Sequence, residues 1–180
     1  MPPRSRDTEF SAFVRDHRVE LLRSTCLLTA GDTHLAEDLV QIALARLYVA
    51  WPRVDPATVA GYTRRIVINA YLDETRRSRW RRERPVPEPD EVARSLPVQP
   101  WPGEDVVDGS GVRAALRALP PRMRAVIVLR HWLDLSVEET AATLGCSQGN
   151  VKSQTAKACA RLRAVLAAVP TTDSLKRSLR

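Results

Sequence analysis

Apolar side chains recur at three- and four-residue steps along most of the chain, and alternating stretches of the kind that form strands are rare. Such spacing places the apolar side chains on one face of an α-helix, so it predicts an all-α protein. Three helices are predicted in the first half, over residues 8–29, 33–50 and 56–82. Their inward faces are expected to carry Phe10, Phe13, Val14, Leu21 and Leu28, then Leu35, Leu39, Ile42, Ala43 and Leu47, and then Ile66, Val67, Ala70 and Tyr71.

Glycine, proline and short polar residues mark the ends of these helices. Gly31 can take the left-handed conformation that ends a helix, and Asp32 can cap the next one. Trp51-Pro52 ends the second helix. Asp55-Pro56 has the pattern of an N-cap followed by a first-turn proline, so the third helix is expected to start there.

The character of the chain changes over residues 85–111. Six prolines interrupt any helix, and six acidic residues face the single Arg94, which gives this stretch a charge of −5. Such a segment is expected to be a linker, semi-rigid where the prolines cluster. It divides the chain into two small helical modules, residues 8–84 and 112–169, with tails over residues 1–7 and 170–180. The linker either joins two basic contact surfaces for one polyanion or masks those surfaces when no ligand is bound.

The second module begins with a short helix and a longer one. The short helix contains Val112, Ala115, Leu116 and Leu119, and Pro120-Pro121 breaks it. The longer helix then runs to about Trp132. Both fit the all-α prediction, because their apolar residues keep the helical spacing.

Two further helix starts lie close together after residue 135. Ser136 and Glu139 have the spacing of a capping box, in which each side chain binds the other residue's backbone N–H. Gly145 can end the short helix that follows, and Ser147 can cap a last helix reaching about residue 169. A helix, a short turn and a second helix predict a helix-turn-helix, whose second helix can enter the major groove of DNA.

The last helix has one apolar face and one polar face without acidic residues. Val151, Ala158, Leu162 and Val165 are expected to pack inward. Amides and hydroxyls can bind base edges, whereas ammonium and guanidinium groups can bind phosphates. An ordinary amphipathic helix with a solvated polar face is the other interpretation. The candidates for DNA contact are Ser147, Gln148, Asn150, Lys152, Ser153, Gln154, Lys157 and Arg161.

Composition favours an acidic partner and gives no sign of catalysis. The net charge is +7, with 25 Arg and three Lys among the 28 basic residues, which suits nucleic acid first. His17, His34 and His131 are isolated, and no nucleotide-binding or metal-ligand motif is present, so no cofactor, metal or catalytic residue is predicted. No transmembrane segment or signal peptide is recognised, so a cytoplasmic protein is expected.

Three stretches resemble one protein family. LPPRMRAVIVLRHWLDLSVEETAATLGCSQGNVKSQTAKACARLR resembles region 4 of bacterial RNA polymerase sigma factors of the sigma-70 family. AEDLVQIALARLYVAWPRV resembles region 2.2, and GYTRRIVINAYLDETRRSR resembles the promoter-melting and −10 segment. The match is to the small extracytoplasmic-function type, which keeps regions 2 and 4, and the VKSQT variant resembles an actinobacterial sigma-E-like subgroup.

The resemblance implies roles for particular residues. The last helix would read the −35 duplex, and the third helix with the loop over residues 51–59 would capture the −10 single strand. Asp38 and Gln41 would bind the clamp helices of core RNA polymerase, although Ile42 stands where many relatives have Glu. Trp80 would either stack on a base or pack on its own module. The −10 candidates are Tyr62, Arg64, Arg65, Asn69 and Arg76. Sequence-independent contact with phosphates, or simple solvation, is expected for Arg77, Arg79, Arg81 and Arg82.

The implied partners are core RNA polymerase, promoter DNA and, as in many relatives, an anti-sigma factor. The resemblance implies a free monomer that does not bind a membrane. A stand-alone helix-turn-helix repressor or activator is the main alternative, and it would predict a dimer that binds spaced half-sites tightly by itself. A partner-binding adaptor that does not contact DNA is a second alternative.

Overall fold

The computed structural model describes residues 6–83 and 109–168, with side chains over residues 6–80 and 111–166. Within that part all regular elements are helical, which confirms the predicted all-α class. The predicted linker up to residue 108, the first five residues of the N-terminal tail, the whole C-terminal tail, and the side chains of Arg81 and Arg82 lie outside it. The α-helices are α1 (Arg6–Leu28), α2 (Thr33–Ala50), α3 (Val59–Glu83), α4 (Gly109–Arg117), α5 (Pro121–Ile127), α6 (Val137–Leu144) and α7 (Gln148–Ala168).

The connection between α1 and α2 is the one that the sequence predicts. Gly31 has a φ of +93°, and its N–H donates to the carbonyl of Cys26 over 2.9 Å. Asp32 caps α2, since its Oδ1 accepts from the N–H of Leu35 over 2.9 Å. Ala30 also has a positive φ, +54°, which is uncommon for a residue with a Cβ.

The start of α3 differs from the prediction. A 3₁₀ turn, Trp51–Arg53, follows α2, and α3 begins at Val59 rather than at the proline after Asp55. Asp55 instead organises a turn: its Oδ1 accepts from the N–H of Ala57 over 2.8 Å, and its carbonyl accepts from the N–H of Thr58 over 2.9 Å. Asp can satisfy its own backbone in this way, so a cap-like residue does not always begin a helix.

The predicted long helix of the second module reaches Trp132, but its last turn is not α-helical. α5 ends at Ile127 and continues into one π-helical turn, Val128–Trp132, in which the N–H of Leu133 donates to the carbonyl of Val128 over 3.0 Å. The N–H of Leu135 then donates to the carbonyl of Leu129 over 3.0 Å. This wider turn brings Leu135 into the core, whereas Trp132 is 50% exposed.

The two modules share one hydrophobic core. We call residues 6–83 the first module and residues 109–168 the second module. In the largest cluster, α1–α3 residues contact α5 and the segment after it. The cluster consists of Leu28, Leu39, Ala43, Val67, Ile68, Ala70 and Tyr71 from the first module and Ala125, Val128, Leu129 and Leu135 from the second.

One prediction for the inward face of α2 is wrong. Ile42 is 43% exposed, whereas Val40 is 1% exposed. Ala36, Leu39, Val40, Ala43 and Leu47 already complete the buried stripe. Because successive residues are about 100° apart on a helix, Ile42 points away from that stripe.

Candidate nucleic-acid interface

The helix-turn-helix is built by local backbone chemistry. The Oγ of Ser136 accepts from the N–H of Glu139 over 3.1 Å, and the N–H of Ser136 donates to Oε2 of Glu139 over 2.7 Å, so the capping box is complete. Gly145 ends α6 with a φ of +61°. The Oγ of Ser147 then accepts from the N–H of Asn150 over 3.2 Å and starts α7. All three sequence signals for this motif are confirmed.

A small apolar cluster fixes the angle between the two helices of this motif. Val126 of α5, Ala141 of α6 and Val151 of α7 are buried together. Val137, Leu144 and Cys146 pack partly against them. Burying one face of α7 here turns its opposite face outward, as the predicted stripe requires.

The polar face of α7 is largely open to solvent. Gln148 donates from Nε2 to Oε1 of Glu138 over 3.3 Å, which ties the start of α7 to α6. Ser147 acts as the N-cap, yet it too is exposed. Of the predicted residues, Ser147, Gln148, Asn150, Lys152, Ser153, Lys157 and Arg161 are all exposed.

Gln154 differs from the other α7 candidates because it is half-buried. It lines a small cleft together with Asn150, Arg122 of α5 and Leu72 of α3. Sequence reasoning did not select Arg122, an exposed cation in the first turn of α5. Its place beside Asn150 and Gln154 makes it a further candidate for phosphate contact, and only the packing of α5 on α7 could have revealed it.

The predicted α3 residues form a second polar surface. Tyr62, Arg65, Asn69 and Arg76 are exposed. Nη1 of Arg76 lies 3.5 Å from Oδ1 of Asp73 one turn earlier, an exposed pair of small energetic weight that DNA could displace. Trp80, whose role was left open, is 60% exposed.

Arg64 is placed differently, because it is half-buried. The pKa of the Glu139 carboxyl is lowered, first by the backbone and side-chain hydrogen bonds of Ser136 and also by the positive charge of Arg64. α3 packs on α6 in this region. One of the predicted −10 residues is therefore near enough to the helix-turn-helix for its charge to act on Glu139.

A third exposed surface lies on α2. Asp38 and Gln41 are exposed, as expected for a partner contact. Ile42 and Val49 extend the same side of the helix and are 43% and 77% exposed. The face therefore combines a carboxylate and an amide with apolar side chains, and Val49 is a member that the sequence reasoning missed.

No cluster of three or more His, Cys, Asp or Glu side chains that could hold a metal ion occurs among the described residues. Cys26, Cys146 and Cys159 are free and half-buried. In the same part of the chain, none of the helices is long and apolar enough to span a membrane.

Comparison with known families decides the identity of this arrangement. The model of sigma-70 region 2 matches residues 13–81, and the model of sigma-70 region 4 matches residues 111–162. The chain belongs to the sigma-70 family. These matches cover both modules, so the chain is an RNA polymerase sigma factor, and a stand-alone helix-turn-helix regulator is not favoured. The family consists of non-catalytic transcription initiation factors.

Similar proteins place this sigma factor in the extracytoplasmic-function group. It is 41% identical to RNA polymerase sigma-E factor of Streptomyces coelicolor over 89% of this chain and 87% of the relative. It is 36% identical to the extracytoplasmic-function sigma factor SigE of Mycolicibacterium smegmatis, over 86% of this chain and 60% of that protein.

Two solved structures have a similar fold. The sigma factor RpoE of Bartonella quintana, in complex with the anti-sigma factor NepR, superposes with a TM-score of 0.72 at 23% identity, covering 89% of this chain and 98% of that one. CnrH, in complex with the cytosolic domain of CnrY, gives a TM-score of 0.61 at 25% identity, covering 89% and 88%.

Proposed function

We propose that this sigma factor reads the −35 duplex with the exposed face of α7. The observation that carries the proposal is the coincidence of a fully capped helix-turn-helix with an outward face that has no acidic residue. Lys152, Lys157 and Arg161 are suited to phosphates, and Gln148, Asn150, Ser153 and Gln154 to base edges. The start of α7 adds backbone N–H groups that favour a phosphate.

The exposed side of α3 is proposed to hold the −10 element as a single strand. Arg65, Asn69 and Arg76 follow one side of the helix, and Tyr62 offers an aromatic ring near its start. A basic track beside an aromatic side chain suits backbone contacts and base stacking. Arg64, which is half-buried on the same helix, is proposed to extend this surface.

The α2 face that carries Asp38 and Gln41 is proposed to bind core polymerase. Ile42 and Val49 would supply apolar contact area beside the carboxylate and the amide. Residues 8–84 and residues 112–169 are proposed to be the two functional units, and the acidic linker is proposed to join them. The place of action is the cytoplasm, where polymerase and promoter DNA are found.

An anti-sigma factor is a proposed further partner. One of the two similar structures contains a sigma factor bound to an anti-sigma factor, and the other contains CnrH bound to the cytosolic domain of CnrY. The similarity covers 89% of this chain in each case, and therefore both modules.

In vitro transcription tests these proposals. Core polymerase with this protein is incubated with a genomic template library, and transcript starts are sequenced. We expect initiation at a limited set of two-part promoters that depends on both proteins. Asp38→Arg should abolish co-purification with core, whereas Asp16→Arg, the same change at an exposed site on α1, should not. Initiation that does not depend on this protein would contradict the proposal, as would tight dimeric binding to duplex without polymerase.

A further inference from the structure

A cluster of aromatic rings joins the start of α1 to the end of α2. The ring of Phe10 packs edge-on against the rings of Tyr48 and Trp51, with ring centroids 5.0 and 5.2 Å apart. Phe13, which is 8% exposed, has its ring centroid 5.4 Å from that of Trp51. Such contacts have preferred geometries, so they fix the orientation of a ring as well as burying it. We call Phe10, Phe13, Tyr48 and Trp51 the ring cluster, in which two side chains of α1 hold Trp51.

Polar and stacking contacts hold the ring cluster in place on the α1 side. The hydroxyl of Tyr48 donates to Oδ1 of Asp7 over 2.7 Å, and the guanidinium carbon of Arg6 lies 4.2 Å from the centroid of the Tyr48 ring. The ring of His17 stacks on that of Phe13 with centroids 4.2 Å apart, and its Nδ1 donates to the carbonyl of Phe13 over 2.9 Å. The first three turns of α1 are therefore attached to the ring cluster at several points.

Residues 51–58, which connect α2 to α3, have little burial of their own. We call this segment loop 51–58. Six of its eight residues are exposed, and only Trp51 and Val54 are partly buried. Two prolines restrict its backbone, and the turn at Asp55 adds hydrogen bonds within it. Because a stiff segment with few contacts takes its orientation from its ends, Trp51 and the start of α3 determine where the loop lies.

The end of loop 51–58 adjoins the α3 surface that is proposed to hold the −10 strand. The N–H of Tyr62 donates to the carbonyl of Thr58 over 2.9 Å, so the loop is bonded to the aromatic residue at the start of that surface. Tyr62 is 41% exposed, and Arg53 adds an exposed cation on the loop itself. A nucleotide stacked on Tyr62 would therefore have the loop beside it, with a cation suited to its phosphate.

We propose that the ring cluster positions loop 51–58 against an unpaired nucleotide of the −10 element. Phe10 and Phe13 are positioning residues in this arrangement, since they act on the strand through Trp51 and the loop. The proposal rests on the proposed function, because it requires α3 to hold a single strand. Loosening the ring cluster reduces the fraction of molecules in which the loop is in place, so it weakens contact with that nucleotide and leaves the other nucleotides held as before.

Four variants of the full chain separate positioning from stability. Phe10→Leu keeps an apolar side chain but removes the edge-on ring contacts, and Trp51→Ala removes the residue that the cluster holds. Trp51→Phe keeps a ring at that place and is the conservative variant. Val40→Ala is the stability control, because Val40 is 1% exposed and lies in α2 about three helical turns before Trp51.

Binding of each holoenzyme to a single-stranded −10 oligonucleotide, with its sequence taken from mapped transcript starts, measures the effect. Each base is replaced in turn by an abasic site, and the loss of affinity gives the contribution of that base. In wild type, a stacked base should contribute about five- to hundredfold. Phe10→Leu and Trp51→Ala should remove most of the contribution at one position or at two adjacent positions, and Trp51→Phe should retain it. Val40→Ala should lower the melting temperature and keep the wild-type profile.

A double variant tests whether the ring cluster acts through the loop. Arg53→Ala removes the cation of the loop, so it should lower affinity for the −10 strand. If the cluster serves to place the loop, the combined effect of Phe10→Leu and Arg53→Ala should be smaller than the product of the two separate fold-changes. A combined effect equal to that product would show that the two sites act independently, and it would overturn the proposal.

The same measurements separate failure of this proposal from failure of the proposed function. A wild-type holoenzyme that bound the −10 strand no better than a scrambled strand would contradict the proposed function of α3, and this proposal with it. Sequence-selective binding with the same abasic profile in wild type, Phe10→Leu and Trp51→Ala would overturn the ring-cluster proposal alone. A uniform loss at every position would also overturn it, because general destabilisation of the module produces that result.

Discussion

Among the described residues, Arg124 stands out because it donates hydrogen bonds to four backbone carbonyls. It donates to carbonyls of Leu28, Leu116, Arg117 and Leu119, which are the ends of two helices. Burial lowers the pKa of its guanidinium, and nearby Tyr71 opposes that shift. Arginine stays charged even when partly buried, so this side chain can donate to several carbonyls at once.

Arg124→Ala is therefore expected to be strongly destabilising. Removing the guanidinium takes away its hydrogen bonds to the carbonyls of Leu28, Leu116 and Leu119, which should cost about 2–4 kcal/mol. Urea unfolding followed by circular dichroism measures this free energy. Arg122→Ala, an exposed arginine two residues earlier in the same helix, is the control and should change stability by less than about 0.5 kcal/mol. Equal effects of the two substitutions would show that the carbonyl contacts do not matter for stability.

Lys157 is expected to contact phosphate rather than a base. Lys157→Ala should weaken binding of polymerase holoenzyme to all promoters alike, and it should reduce the slope of log K against log salt by about one. Binding measured over a salt series, on two promoters with different −35 elements, gives both quantities. Arg163→Ala removes the same charge from an exposed site further along α7, and it provides the comparison. If the slope were unchanged in Lys157→Ala, Lys157 would be a solvated residue that does not contact phosphate.

Gln154 is expected to affect sequence preference. It is half-buried beside Asn150 at the cleft, and its amide has the donor and the acceptor that a base edge requires. Gln154→Ala should change the preference at one −35 position by about 1–3 kcal/mol. Selection from a randomised −35 library with the holoenzyme measures this. A sequence profile identical to that of wild type would show that Gln154 does not contact a base of the −35 element.

At the scale of single elements, α6 depends on its capping box. The pKa of Glu139 is lowered, first by the backbone N–H of Ser136, so its carboxylate is the form that stabilises the folded state. Because the pKa of Glu139 is lower in the folded state than in the unfolded state, its carboxylate contributes stability that is fully present above the pKa of the unfolded state. That stability is lost as the pH falls through the folded pKa.

Glu139→Gln should therefore lower the melting temperature at neutral pH and flatten its decline in acid. Glu138→Gln, at the neighbouring exposed carboxylate, should keep the decline of wild type. Melting followed by circular dichroism from neutral to acidic pH checks both variants. If Glu139→Gln retained the full acid dependence, other carboxylates would be responsible for it.

The elements that could be predicted are those specified by nearby residues. The capping box at Ser136, the left-handed Gly145 and the cap at Asp32 each depend on contacts within a few residues, and each is confirmed. The start of α3 and the π-helical turn were missed. Asp55 can accept from backbone N–H groups either as a helix cap or within a turn, and apolar periodicity does not distinguish these two arrangements.

At the scale of the whole molecule, the shared core could not be predicted. Apolar periodicity shows that Ala125, Val128 and Leu129 are inward-facing, but it does not show that they pack against the first module. Prediction of the candidate site from the sequence was limited in the same way. The outward face of α7 follows from helical geometry, whereas the burial of Arg64 and the position of Arg122 depend on how the two modules pack.

Because the modules share a core, a core substitution in one module is expected to destabilise the other module as well. Leu129 is fully buried among residues of both modules, so Leu129→Ala should cost about 2–5 kcal/mol. Hydrogen exchange of the free protein should then show reduced protection of the slowest amides in α2 as well as in α7. Leu166→Ala, at a 48% exposed site on α7, is the matched control and should leave both helices protected. If Leu129→Ala accelerated exchange in α7 and left α2 unchanged, the modules would fold independently, and their contact would contribute little to the stability of either.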